Sequence, residues 1–150
     1  MERIHDTLGY TICRTARKIQ KELTDELSEY DIPIAQWVAL KTLAEHEGIS
    51  QKELADLLQK DQNNVKAIVD RLGRKKLLAR QRSEGDARAF ELYLTGAGQK
   101  LVEKLASVDE QAIARIQSVL TEEEARSFAA LLARIEAGLD ERQKISLADA

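Results

Sequence analysis

The stretch SQKELADLLQKDQNNVKAIVDRLGRKK, at residues 50–76, decides the fold. It opens with Ser50 and Glu53, the S-x-x-E pattern of a helix N-terminus, in which the hydroxyl accepts a backbone N–H and the carboxylate reaches back. The leucines that follow predict the buried face of a short helix: Leu54, Leu57 and Leu58. A turn at Gln59-Lys60 ends this helix.

A second helix begins directly after the turn. Asp61 is a good N-cap, and apolar residues at helical spacing predict a helix from about residue 62 to residue 75. Its predicted buried face consists of Val65, Ile68, Val69 and Leu72. A short helix, a tight turn and a second helix with polar first residues form the helix-turn-helix pattern.

Two short strands are predicted next, over residues 77–82 and 89–94. The second strand alternates apolar and polar residues, which is the period of a half-buried strand. The residues Ser83-Glu84-Gly85-Asp86 between the strands favour a turn. A hairpin after a helix-turn-helix is a wing, so residues 34–94, which begin with a helix at about 34–46, are predicted to form a winged helix-turn-helix module.

Long helices flank this module. Apolar residues at spacings of three and four predict one helix over about residues 4–30, ended by Pro33, and another over about 96–120. A capping box at Thr121 opens a last helix, which we expect to fray from about Lys144. A helix of about 25 residues is near 40 Å long, more than a small domain needs for its own core, and such a helix usually packs against a partner chain.

The predicted fold class is therefore mainly α with a small β-hairpin wing, in a single domain spanning residues 1–150. The winged helix-turn-helix at 34–94 is inserted between long terminal helices, at 1–31 and 96–145, that form a dimerisation layer.

Charge is unevenly distributed along the chain. The net charge is −3, yet residues 59–88 hold nine Lys or Arg against four Asp or Glu, so they carry +5 and the remainder −8. A basic segment inside an acidic body is typical of a module that meets phosphate on one face. A solvated charged surface is the alternative.

Several function classes are disfavoured by what the sequence lacks. It has no nucleophile elbow, glycine-rich phosphate loop or metal cluster, and His5 and His46 are solitary, so we expect no enzyme, metal site or cofactor. One cysteine, no secretory signal and no membrane-spanning run predict a cytoplasmic protein with no membrane partner.

The residue types on the second helix suit double-stranded DNA. Amides pair with adenine and cations with guanine in the major groove, which predicts the base-reading side chains of the first turns: Gln62, Asn63, Asn64 and Lys66. Helix capping is the alternative role of the two asparagines. Cations further along are predicted to contact phosphate: Arg71, Arg74, Lys75 and Arg82. At the wing tip, Asp86 is predicted to hold Arg88 for insertion into the minor groove, an exposed salt bridge being the alternative.

Four stretches together resemble the MarR (multiple antibiotic resistance regulator) family: SQKELA at 50–55, VKAIVDRL at 65–72, DARA at 86–89 and LTGAG at 94–98. The Asp-x-Arg wing followed by Leu-Thr-x-x-Gly is the most specific part. The resemblance implies an obligate homodimer that binds a pseudo-palindromic operator, usually as a repressor, and leaves it when a small aromatic or lipophilic anion binds or a cysteine is oxidised. It also places Arg71 on the family's recognition helix and Arg88 at its wing arginine.

Three residues depart from the family pattern. Lys76 stands where a glycine usually ends the recognition helix, and Gly73 lies inside that helix instead. A left-handed Lys76 and a helical Gly73 would each cost about 1 kcal/mol. Ala87 replaces a residue that is often Arg, which removes one phosphate contact from the wing.

The sensing site is less defined. Candidates to line an effector cavity are Tyr10, Arg14, Tyr30 and Trp37, with an ordinary core role as the alternative. Cys13 is a candidate redox sensor near Arg14 and Arg17, with a passive thiol as the alternative. A winged-helix module for protein contacts is the other function class that fits this fold.

Overall fold

The computed structural model describes residues 1–85 and 89–149, which form two compact units, Met1–Ala112 and Ile113–Ala150. The elements in chain order are α1 (Leu8–Leu27), α2 (Ile34–Glu45), β1 (Ile49–Ser50), α3 (Gln51–Leu58), α4 (Gln62–Arg74), β2 (Leu78–Arg82), β3 (Phe90–Leu94), α5 (Gly96–Gln117) and α6 (Glu122–Ala148). The mainly helical fold with a small antiparallel wing is confirmed.

The first helix is shorter than predicted. Thr7 is extended and its hydroxyl accepts the backbone N–H of Tyr10, so α1 begins at Leu8, and residues 4–6 form a separate 3₁₀ turn. At the other end a second 3₁₀ turn, Ser28–Tyr30, leads into Asp31, whose φ of 54° is left-handed. The apolar stripe that was predicted as one helix over residues 4–30 is thus interrupted by a break in the helix before α1 and another after it.

The sheet has a strand that the sequence analysis missed. β1 pairs antiparallel with β3, and β3 with β2, so the strand order is β1-β3-β2. Gly48 makes this pairing possible: its φ is 83°, and its N–H donates to the Leu92 carbonyl at 3.0 Å. The wing is therefore joined to the start of α3 by main-chain pairing.

The core of the first unit lies between α1, α2, α3, α4, the first part of α5 and the sheet. Its largest fully buried side chains are Leu27, Leu40, Leu43, Leu54, Leu72, Leu92, Leu105, Val65 and Val69. The prediction for Leu57 was wrong, since this side chain is 49% exposed. α3 turns Leu54 and Ala55 inward, and a residue two positions after Ala55 lies on the opposite side of a helix.

The second unit contains the end of α5 and all of α6. Thr121 and Glu124 form the predicted capping box, in which Thr121 N–H donates to Glu124 Oε1 at 3.0 Å and Glu124 N–H to Thr121 Oγ1 at 3.1 Å. These bonds to Thr121 lower the pKa of Glu124. The expected fraying from Lys144 was wrong, because α6 continues to Ala148.

Candidate nucleic-acid interface

The first turn of α4 is fixed by Asp61. One carboxylate oxygen accepts the Asn64 backbone N–H at 2.9 Å and the other accepts Asn64 Nδ2, also at 2.9 Å. This is the N-cap that the sequence predicted. Asn64 therefore combines the capping role, which was its alternative, with an amide oxygen that stays available on an exposed side chain.

The remaining polar side chains of α4 lie opposite its buried face. Gln62 and Asn63 are exposed, and neither side chain has a hydrogen-bond partner within residues 1–85 and 89–149. Arg71 and Arg74 are exposed too, and in the same ranges neither forms an ion pair. α4 thus presents free amides at its first turn and free guanidinium groups at its last turns.

A three-residue ion cluster ties α4 to β2. Asp70 accepts Arg80 Nη2 at 2.6 Å and Lys66 Nζ at 2.9 Å. The hydrogen bonds from Arg80 and then Lys66 lower the pKa of Asp70 to about 2. The Lys66–Asp70 pair has the i, i+4 spacing that sequence can suggest, but Arg80 on the neighbouring strand was missed.

Lys75 differs from the other cations predicted to contact phosphate. Its Nζ donates to the main-chain carbonyl of Asp31 at 2.6 Å and to Gln36 Oε1 at 2.7 Å. The ammonium is therefore engaged by the protein itself, and a phosphate contact from Lys75 stays a prediction.

The wing is described in part. Arg82, at the end of β2, is exposed. The predicted wing-tip pair, Asp86 and Arg88, lies outside the described residues.

The end of α4 is joined to the start of α5. Lys76 has a φ of 60°, so a lysine takes the left-handed conformation at the position where the family usually has a glycine. Thr95 Oγ1 donates to the Lys76 carbonyl at 2.7 Å, and Thr95 N–H donates to the Leu77 carbonyl at 3.1 Å. A Cβ on Gly98 would lie 2.1 Å from that same Leu77 oxygen. The Leu-Thr-x-x-Gly stretch thus brings the α5 backbone directly against the turn after α4.

Comparison with known proteins agrees with this geometry. A family model described as "MarR family" matches residues 30–89. The HTH-type transcriptional repressor MdtR of Bacillus subtilis (strain 168) is 30% identical over 131 residues, which cover 86% of this chain and 84% of MdtR. The chain belongs to the MarR family.

Solved MarR-family structures share the fold closely. The S. aureus MepR–DNA complex has a TM-score of 0.84 at 28% identity, covering 88% of this chain and 98% of that one. A mutant E. coli MarR complexed with operator DNA has a TM-score of 0.82 at 25% identity, covering 89% and 99%. In both structures the similar chain was crystallised with DNA.

Two adjoining grooves lie along α2. The larger, of about 510 Å³, extends to Leu57, Leu58 and Lys60. The smaller, of about 170 Å³, is lined by Leu23, Trp37, Lys41 and Asp109 among others. Both include Ile34, Val38 and Thr42, so they meet on one ridge of α2. Lys41 Nζ lies 5.8 Å from the centre of the Trp37 ring.

The four predicted effector residues occupy different settings. Trp37 is buried in the core and lines the smaller groove. Tyr10 lies near the start of α1 with the Arg14 guanidinium 5.7 Å from its ring centre. The Tyr30 ring is 5.2 Å from Lys104 Nζ. The sequence identifies the aromatic and cationic residues. It does not show which of them lie side by side, because that depends on how α1, α2 and α5 pack.

Cys13 is exposed on α1. Arg17, which the sequence analysis placed near this thiol, has its guanidinium carbon 5.9 Å from the Tyr10 ring centre, and the ring also contacts His5 at 4.8 Å. A redox role for Cys13 stays a prediction.

The described part of the chain has neither a group of metal ligands nor a membrane-spanning helix. Within residues 1–85 and 89–149, no three His, Cys, Asp or Glu side chains are grouped so that they could hold a metal ion. Over the same ranges, none of the helices has the length and apolar character needed to cross a membrane.

Proposed function

We propose that this chain is a homodimeric regulator of transcription that binds double-stranded DNA in a sequence-specific manner and acts as a repressor. The observation that carries the proposal is the exposed face of α4. Its first turn offers the unpaired amides of Gln62 and Asn63, and its last turns offer the unpaired guanidinium groups of Arg71 and Arg74. A helix of this kind fits the major groove with its N-terminal residues on base edges.

The proposed contacts divide into two classes. Gln62, Asn63 and the free amide oxygen of Asn64 read bases, since an amide can bond adenine bidentately. Lys66 joins them only when it exchanges Asp70 for DNA, because the two are paired at 2.9 Å. The phosphate contacts, which fix register, are Arg71, Arg74 and Arg82. At the wing tip, the sequence assigns the minor groove to Arg88, positioned by Asp86.

Dimerisation is proposed from the apolar surface of α6. Phe128, Leu131, Ile135 and Leu139 recur at spacings of three and four, so they share one face of the helix. Each is between 38% and 55% exposed, which is unusual for large apolar side chains aligned in a stripe. A second copy that covers this stripe would give the assembly two α4 helices, the number that a pseudo-palindromic operator requires.

Release by an effector is proposed from the grooves along α2. Trp37, Lys41 and Asp109 line the smaller groove together with apolar side chains. The Trp37 ring and the Lys41 ammonium suit a small aromatic or lipophilic anion whose charged group binds Lys41 in place of water. The larger groove adds Lys60 at the turn before α4. A ligand there would lie against α2 and α3, the helices that carry α4 on the core.

The wider context follows from the same proposal. MdtR is a transcriptional repressor, which supports a regulator rather than an enzyme. The proposed regulator acts in the cytoplasm. The alternative module for protein contacts would keep the fold but would not need free amides and guanidinium groups along one helix face.

The test is selection of bound duplexes from a random library at near-physiological salt, with the mass of the protein in solution measured alongside. We expect a two-fold symmetric site with half-sites about 10 bp apart centre to centre, bound by a dimer. A folded dimer that selects no sequence would contradict the proposed function and favour the protein-contact module.

A further inference from the structure

The ammonium group of Lys75 is held by two oxygen atoms that are distant in sequence. Nζ lies 2.6 Å from the carbonyl oxygen of Asp31 and 2.7 Å from Oε1 of Gln36. Both distances are at the short end for hydrogen bonds from a charged donor, which are stronger than neutral ones. Lys75, the Asp31 carbonyl and the Gln36 amide are called the Lys75 latch below.

Both acceptors belong to the corner between α1 and α2. The Asp31 N–H donates to the Ser28 carbonyl at 3.2 Å, and the left-handed φ and ψ of Asp31, 54° and 40°, set the direction of its carbonyl group relative to that N–H. Gln36 is in the first turn of α2 and is only 4% exposed, the one polar side chain buried in the core among residues 1–85 and 89–149. A buried amide oxygen left without a donor is costly, so the bond from Lys75 also satisfies the core.

The backbone of Lys75 is held by hydrogen bonds as well, in this case to α4. Its N–H closes the last turn of α4 by bonding the carbonyls of Arg71 and Gly73. Lys76 then turns left-handed, and the Leu77 N–H returns to the Leu72 carbonyl at 3.0 Å. The latch therefore joins two rigid points, the C-terminal end of α4 and the corner where α1 meets α2.

We propose that Lys75 is a positioning residue for DNA recognition. It sets the direction of α4 relative to the α1–α2 corner, and through that direction it sets the separation of half-sites that the dimer accepts. This inference rests on the proposed function, and it replaces the phosphate contact that the sequence predicted for Lys75. Apolar packing and the Arg80–Asp70 ion pair already hold α4 against the core and the sheet, and the two short hydrogen bonds of Lys75 add a directional restraint at the C-terminal end of the helix.

The first test needs no DNA. Lys75→Met and Gln36→Leu, singly and together, are compared by urea unfolding at one protomer concentration. In Lys75→Met the buried Gln36 oxygen loses its donor, and Gln36→Leu removes that oxygen as well. We expect the double variant to be no less stable than Lys75→Met alone. Additive losses would overturn the latch.

The second test uses the selected operator and versions with its half-sites one base pair closer or further apart. For Lys75→Met we expect the affinity for the operator with the native half-site separation to fall about tenfold, as for loss of a charged hydrogen bond. The affinities for the native and the altered separations should become more similar to one another. The slope of log affinity against log salt should stay unchanged. A phosphate contact would instead reduce that slope by about 0.9 and leave the preferred separation intact, which would overturn the proposal.

Lys100→Met serves as the matched control, since it removes an exposed lysine from the first turns of α5. It should alter neither the unfolding curve nor the half-site profile. If the wild-type protein selects no operator, the proposed function fails, and the unfolding comparison alone then decides whether the Lys75 latch exists.

Discussion

Replacement of Gly98 by alanine tests the contact between the start of α5 and the turn after α4. An added Cβ would lie 2.1 Å from the Leu77 carbonyl oxygen and 3.1 Å from the Leu77 carbonyl carbon. Carbon and oxygen atoms approach to about 3.3 Å in close contacts between backbones. The start of α5 must therefore move by about 1.2 Å from the turn after α4.

That movement has a cost that can be estimated. Overpacking typically destabilises by about 1–3 kcal/mol. The Leu77 carbonyl also accepts the Thr95 N–H at 3.1 Å, and losing this bond adds about 0.5–1.5 kcal/mol. Alanine returns at most about 1 kcal/mol through its better helix propensity. The expected result for Gly98→Ala is a loss of about 2 kcal/mol.

The assay is urea unfolding followed by circular dichroism at a fixed protomer concentration, because dimerisation would make stability depend on concentration. Gly73→Ala is the matched control: its Cβ would meet nothing within 4 Å, and it lies inside α4. It should gain about 0.8–1 kcal/mol. A Gly98→Ala protein as stable as wild type would refute the close approach between α5 and Leu77.

Three further outcomes are expected. The pKa of Asp70 is about 2 instead of 3.8, so the ionised carboxylate contributes fully to the free energy of unfolding above pH 3.8, and this contribution is lost as the pH falls through about 2. Asp70→Asn should remove this pH dependence from unfolding curves measured between these two pH values. Leu131→Glu should convert the dimer to monomer in sedimentation velocity, whereas Arg134→Gln on the same helix should leave it intact. In DNA-binding titrations, Gln62→Ala should weaken the free energy of binding by about 1–3 kcal/mol through one base position and leave the slope of log affinity against log salt unchanged. Arg74→Ala should lower that slope by about 0.9 whatever the DNA sequence.

Local signals were sufficient for the helix-turn-helix and its ends. Asp61 and Thr121 cap their helices as predicted because each acts through atoms within a few residues of itself. The same holds for the buried stripe of α4, whose helical spacing leaves one inward face.

Non-local partners account for what the sequence could not predict. Strand β1 is only two residues long and exists because β3 lies beside it. Arg80 reaches Asp70 across the gap between β2 and α4, and Lys75 bonds residues about 40 positions earlier. A lysine on a basic segment suggests phosphate, and only the packing of α2 against α4 shows that this one is already bonded.

In the proposed complex, α4 enters the major groove in two successive half-sites. Methylation interference on the selected duplex tests it directly, because guanine N7 lies in the major groove and adenine N3 in the minor groove. This binding mode predicts interference at guanine N7 in two clusters about 10 bp apart on one face, with adenine N3 interference confined to the flanks. Interference at adenine N3 alone, with every guanine N7 tolerated in both half-sites, would contradict it.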